Sequence, residues 1–197
     1  MTERLPMAIT MGDASGIGPE IVAKTLASGK EQAVVFGSPL VMADIVDRLG
    51  IDATVRQIRC PEAIEPQPGV IEVIEVTRLV ELPPIGRVCA ASGQASYDAI
   101  VAAIASARSN KVAGVVTAPI NKEAMACAGV RYPGHTEILA DHGGAQRVAM
   151  MLANDDILDV VATDEVPKGR PSPAQALATG QVGGSSAARC SAATMPP

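Results

Sequence analysis

The chain has no tryptophan, and Phe36, Tyr97 and Tyr132 are its only aromatic side chains in 197 residues. Three scattered rings cannot build a stacking platform for bases. A net charge of -5 leaves no basic stripe for a phosphate backbone, so the composition argues against nucleic acid as a partner. The four cysteines, Cys60, Cys89, Cys127 and Cys190, stand far apart without CxxC spacing. Neither a zinc pattern nor a disulfide framework is indicated. Long apolar runs are missing too: Glu3 and Arg4 precede a short one that breaks at Gly12, unlike a signal peptide, and no later stretch is long enough to span a bilayer. A soluble, cytoplasmic protein is the expectation.

Hydrophobic residues make up 48% of the chain against 19% charged, enough for one core of ordinary size or two small ones. Residues 5–11 are a short apolar run ending at glycine, and 19–26 continue with good helix formers, which predicts strand, loop, helix. Residues 33–37 predict a second strand, and 41–49 an amphipathic helix closed by Gly50. The stretch CPEAIEPQPG, residues 60–69, holds three prolines and predicts a loop; residues 70–79 then alternate as a strand. SGQASYDAIVAAIASARSN, residues 92–110, is the clearest helix, with Ser92 as its cap and Ile100, Ala103, Ile104 and Ala107 on one apolar face. Residues 112–118 are a β-branched run of the kind buried on both sides of a sheet. The alternation predicts an α/β protein.

Three loops carry candidate chemistry. The first, MGDASGIGPE at residues 11–20, spaces its glycines as G-x-x-x-G-x-G, which is neither the dinucleotide fingerprint nor a Walker loop. Its physics is a sharp turn into a helix start with Pro19 and Glu20 in the first turn, able to dock the helix on the strand or to hold an anion. The second, TAPINKEA at residues 117–124, follows the β-branched run, and ligands of open α/β sheets sit at such strand ends. Thr117, Asn121 and Lys122 are its polar reach; Lys122 either holds a phosphate or carboxylate or is a solvated lysine opening a helix. The third, YPGHTEILADHGG at residues 132–144, contains both histidines. His142 reads as a surface residue near a helix C-terminus, while His135, followed by Thr136, binds a ligand or caps the helix.

In this order, MGDASGIGPE, TAPINKEA and GHTE, followed by VAMMLANDD, resemble the 4-hydroxythreonine-4-phosphate dehydrogenase family of vitamin B6 synthesis, whose relatives act on four-carbon sugar-acid phosphates such as D-threonate and D-erythronate 4-phosphate. The opening loop also looks like the GDGIGPE loop of isopropylmalate and isocitrate dehydrogenases. The resemblance implies their three-layer α/β architecture, incomplete at the C-terminus, and oxidation of a phosphorylated hydroxy acid such as 4-phosphohydroxy-threonine, followed by decarboxylation. It also implies NAD or NADP, a divalent metal acting as Lewis acid, and a homodimer. Carried over singly, His135 and Thr136 match the substrate-binding His-Thr pair and Lys122 the matching NK loop. Gly16 and Gly18 fall at the edge of the cofactor cleft.

The family holds its metal with three histidines further along the chain, whereas no histidine follows His142 here. Asp164 or Glu165 stands near the place of the first, and one carboxylate does not replace three ligands. The expected division is therefore a partial dehydrogenase region over residues 1–163 and a divergent tail over 164–197, too poor in large apolar residues to order itself, from truncation, frameshift or fusion. The alternative to an enzyme is a catalytically inactive ligand-binding or interaction protein that keeps the half-site.

Overall fold

The computed structural model of the chain describes residues 5–145, 147–153 and 158–163, with side chains as far as residue 151. Five strands, β1 (Met7–Thr10), β2 (Ala33–Gly37), β3 (Thr54–Ile58), β4 (Val70–Glu75) and β5 (Gly114–Thr117), form one sheet in the order β3-β4-β2-β1-β5. Every pairing is parallel, with Ala8 opposite both Val34 and Val115. Helices α1 (Gly18–Leu26) and α2 (Pro39–Arg48) connect the first strands, and α3 (Ala90–Arg108) precedes β5. Two shorter helices follow, α4 (Lys122–Cys127) and α5 (His135–Gly143), and then the antiparallel strands β6 (Val148–Ala153) and β7 (Leu158–Thr163). No helix among the described residues is long and apolar enough to cross a membrane.

Alternation along the strands sorts the core into layers. Val35, Ile71 and Val73 face α1 and α2 and meet Val22, Leu26, Met42 and Ile45. Val34 and Phe36 face the other way, onto Ala99 and Ala103 of α3. The expected single apolar face of this helix is in fact two faces: Ala99 and Ala103 lie on the sheet, whereas Ile100 and Ile104 face outward onto Met125 of α4 and Ile138 of α5. Small residues inward let the helix approach the strands, and the two isoleucines outward give α4 and α5 something to bury. Each fully buried isoleucine contributes about 1.5–3 kcal/mol.

The expectations for residues 33–37 and the first helix match β2 and, within a residue, α1. Two others need correction, and one strand was not expected. β5 is an edge strand among the described residues, and Val116 is 47% exposed, so the run is not buried on both sides. β3 escaped notice because TVRQI carries Arg56 and Gln57 at a sheet edge; Arg56 donates to the buried Glu72 at 2.6 Å, holding the neighbouring loop through the Glu65 N–H. Finally, α3 begins at Ala90 with Cys89 in the capping position, and Ser92 is inside the first turn. Asp164, Glu165 and the whole expected tail lie outside the described residues.

Candidate functional site

The connection leaving β1 runs to α1 on one face of the sheet, while the one leaving β5 runs to α4, which packs against α3 on the other. The carboxyl ends of β1 and β5 therefore form a switch point, the place where an open α/β sheet leaves a crevice. The first two candidate loops open there.

Residues 11–16 are tied into the protein through their backbone, while Gly16 and Ile17 face outward. Asp13 donates its N–H to the Pro119 carbonyl at 2.9 Å, and its carboxylate accepts from the Ser15 N–H at 3.0 Å. Gly16 donates to the Asp13 carbonyl at 3.0 Å, and the Ser15 and Ser92 hydroxyls pair at 2.6 Å. The N–H groups of Asp13, Ser15 and Gly16 are thus committed within the protein. These bonds dock the turn on the strand ends. Gly12, at φ +76°, and Gly18 explain its glycines: a Cβ would sit 2.5 Å from the Pro119 carbonyl oxygen at Gly12, and 2.5 Å from that of Met11 at Gly18. Gly16 lies exposed on the rim.

Ala118 joins this loop to the rest of the site. Its N–H donates to the buried Thr10 hydroxyl at 3.2 Å, and its methyl lies 3.0 Å from where a Cβ on Gly12 would be. Asn121 is spent as the α4 cap, its carbonyl oxygen accepting from Glu123 and Ala124 N–H groups at 3.0 Å each. That removes it from the polar reach expected of it. Lys122 follows at the first position of α4, exposed, and among the described residues no carboxylate pairs with it. Its ammonium passes Gly134, 3.9 Å from where a Cβ would be.

His135 is the first residue of α5 rather than a residue before the helix, and Gly134 takes the capping position. Nε2 of its ring is buried without a partner. Burial holds the imidazole below its usual pKa; the Ala118 backbone works against that and the Lys122 charge adds to it. Thr136, half-buried, is the next residue of the helix. The structure thus brings His135, Lys122 and Ala118 together, with Gly18 on the far side of Ala118.

His142 stands apart, in the last turn of α5. It is half-buried rather than a free surface group, with Nε2 2.8 Å from the Tyr97 hydroxyl. Among the described residues, no three His, Cys, Asp or Glu side chains gather as a metal would require. An open groove lined by Ala27, Asp52, Thr54 and Pro68 lies at the amino ends of β3 and β4, the opposite edge of the sheet, and Asp52 is its one titratable group. It plays no part in the site.

Sequence reasoning missed Thr10, Ser15 and Gly93, and took Ser92 for a cap. The glycine lets α4 cross α3, since a Cβ there would lie 2.0 Å from the Ala124 carbonyl oxygen. The small residues of SGQAS were the available signal.

Comparison with known proteins places this geometry. Residues 29–170, more than half of the chain, match the family model "Pyridoxal phosphate biosynthetic protein PdxA". The chain is 54% identical over 160 residues to a 4-hydroxythreonine-4-phosphate dehydrogenase of Beijerinckia indica, covering 80% of this chain and 48% of that protein. It is 41% identical over 171 residues to a D-threonate 4-phosphate dehydrogenase of Bordetella bronchiseptica, covering 83% and 48%. Among solved structures, a 4-hydroxythreonine-4-phosphate dehydrogenase from Burkholderia phymatum superposes with a TM-score of 0.74 at 32% identity, over 81% of this chain and 49% of that one. One from Klebsiella pneumoniae gives 0.73 at 36%, over 79% and 50%. The chain spans about half the length of the relatives it matches. It belongs to the PdxA family, the pyridoxal phosphate biosynthetic dehydrogenases.

Proposed function

We propose that this chain supplies the substrate half-site of a dehydrogenase acting on a phosphorylated hydroxy acid of the 4-hydroxythreonine 4-phosphate or D-threonate 4-phosphate kind. The observation that carries the reading is the meeting of a buried, unpartnered His135 Nε2 with the Lys122 cation at the switch point. Lys122 takes the phosphate or carboxylate as a point charge, and Thr136 adds a hydroxyl at the start of α5. NAD or NADP is the hydride acceptor that this reading entails, with exposed Gly16 on the rim and Gly18 beneath it. The parallel sheet supports the three-layer architecture of isopropylmalate and isocitrate dehydrogenases as the frame of the whole protein, with a homodimer as its assembly and the cytoplasm as its place.

The described residues do not fit a divalent metal. His135 and His142 begin and close α5, about 10 Å apart by helix rise, and Nε2 of His142 is engaged by Tyr97. The second reading is a protein that binds the same ligand without turning it over. Calorimetric titration with D-threonate 4-phosphate decides the site: His135→Ala and Lys122→Ala should each weaken binding about tenfold or more, and parental affinity in both would remove the assignment. Metal-dependent reduction of NAD or NADP would then mark the enzyme, and ligand-induced thermal stabilisation without reduction the binding protein.

A further inference from the structure

We infer that the Asp13 carboxylate receives a ligand ammonium, so that among phosphorylated hydroxy acids the crevice selects one with an amine beside its carboxylate; this rests on the proposed function above and narrows it.

Two acidic side chains among the described residues are buried, Glu72 at 3% and Asp13 at 7% exposure. A buried carboxylate ordinarily has a cation or a full set of donors, because an uncompensated charge away from water is costly. Glu72 has both: Arg56 donates to it at 2.6 Å, and the Glu65 N–H lies 3.1 Å from each of its oxygens. Asp13 has only the Ser15 N–H, on Oδ1 at 3.0 Å; among the described residues it makes no ion pair, and Oδ2 accepts from no donor. Its charge lacks a counterpart.

The free oxygen stands at the crevice. Asp13 follows β1, and its N–H bonds the Pro119 carbonyl in the loop leaving β5, so the residue bridges the two connections that border the switch point. Gly16, exposed on the rim, does not have a positive φ, yet a Cβ there would come 3.2 Å from Oδ2 of Asp13. Space rather than backbone conformation explains that glycine: it leaves the oxygen uncovered. Lys122, three residues beyond Pro119, is exposed and makes no ion pair with Asp13. Two unpaired opposite charges on one crevice suit a ligand that carries both signs. 4-Hydroxythreonine 4-phosphate and D-threonate 4-phosphate share their carbon chain, carboxylate and phosphate, and differ at C2, which bears an ammonium in the first and a hydroxyl in the second. Either group can donate to Oδ2, but the ammonium also supplies the missing charge, and a charge-assisted bond is about twice as strong as a neutral one. The anionic end is left to Lys122.

Calorimetric titration of the full chain compares these two compounds directly. The parent should bind 4-hydroxythreonine 4-phosphate on the order of tenfold more tightly than D-threonate 4-phosphate. Asp13→Asn keeps the size of the side chain and an oxygen for the Ser15 N–H while removing the charge, and should bring the two affinities together. Gly16→Ala covers Oδ2 and should narrow the gap in the same direction. Equal parental affinities, the reverse order, or a preference that survives Asp13→Asn would overturn the inference while leaving the phosphorylated-acid reading in place. If neither compound binds, the substrate class fails and the inference fails with it. The parental comparison needs no variant to fold, and should Asp13→Asn not fold, an undiminished preference in Gly16→Ala overturns the assignment of the ammonium to Asp13.

Discussion

The Tyr97 hydroxyl and Nε2 of His142 lie 2.8 Å apart and tie the last turn of α5 to α3. Tyr132 stacks on Tyr97 at 5.9 Å between ring centres and donates to Asp141, while Arg108 donates to the His142 carbonyl at 3.0 Å. α5 has nine residues, and of these Ile138 and Ala140 are buried. Polar and aromatic contacts at its far end therefore supply much of what holds the helix that begins with His135. Tyr97→Phe keeps the ring and removes the hydroxyl, and should cost about 1 kcal/mol. That is a fall of about 2–4 °C in Tm for a chain of this size. An unchanged melting curve would mean that the bond contributes nothing.

Gly93→Ala places a methyl 2.0 Å from the Ala124 carbonyl oxygen, and backbone cannot move aside as a flexible side chain can. A destabilisation of about 1–3 kcal/mol is expected in urea unfolding. Gly143, in α5, has nothing within 4 Å of its Cβ position, so Gly143→Ala should be neutral or stabilising by up to about 1 kcal/mol. Equal effects of the two substitutions would contradict the close crossing of α3 and α4.

Cys89 titrates below the ordinary thiol value of 9.0. Burial pushes it up, but hydrogen bonds with the Ser92 hydroxyl and backbone, and with Ser15, outweigh that. The pH midpoint of its alkylation by iodoacetamide, followed by peptide mass spectrometry, should lie below 9.0 in the parent and move upward in Ser92→Ala. A midpoint that ignores the substitution would show that the serine does not hold the thiolate.

For His135 the folded pKa is depressed below the ordinary value of 6.5. The unfolded chain therefore binds the proton more readily than the folded one, and stability rises with pH across the window below 6.5. Above that window both states are neutral and the group contributes no slope; below the folded pKa its destabilising effect is complete. His135→Gln should flatten this part of the stability profile. An identical slope in parent and variant would place the imidazole in water.

How far the sequence disclosed this molecule depended on whether a segment's partners were local. β2 was plain from AVVFG, because a strand with apolar layers on both sides needs no polar face. The run ending in Val116 looked the same, yet it lies at an edge of the described sheet, and nothing within the run distinguishes an edge from a centre. His135, Thr136 and Lys122 stood out in short motifs, and the structure joins His135 and Lys122 around Gly134. Asn121 and Ser92 misled for opposite reasons. Asn121 is a cap that looked like ligand reach, and Ser92 is a long-range partner of Ser15 that looked like a cap. The Tyr97–His142 bond joins residues 45 apart and was invisible until α3 and α5 were packed together.

Ala118 serves both sides of the crevice: its N–H is held by Thr10, its methyl abuts the Gly12 turn, and its backbone favours the protonated form of the His135 ring. The opening turn and the start of α5 thus share one wall, a single residue thick.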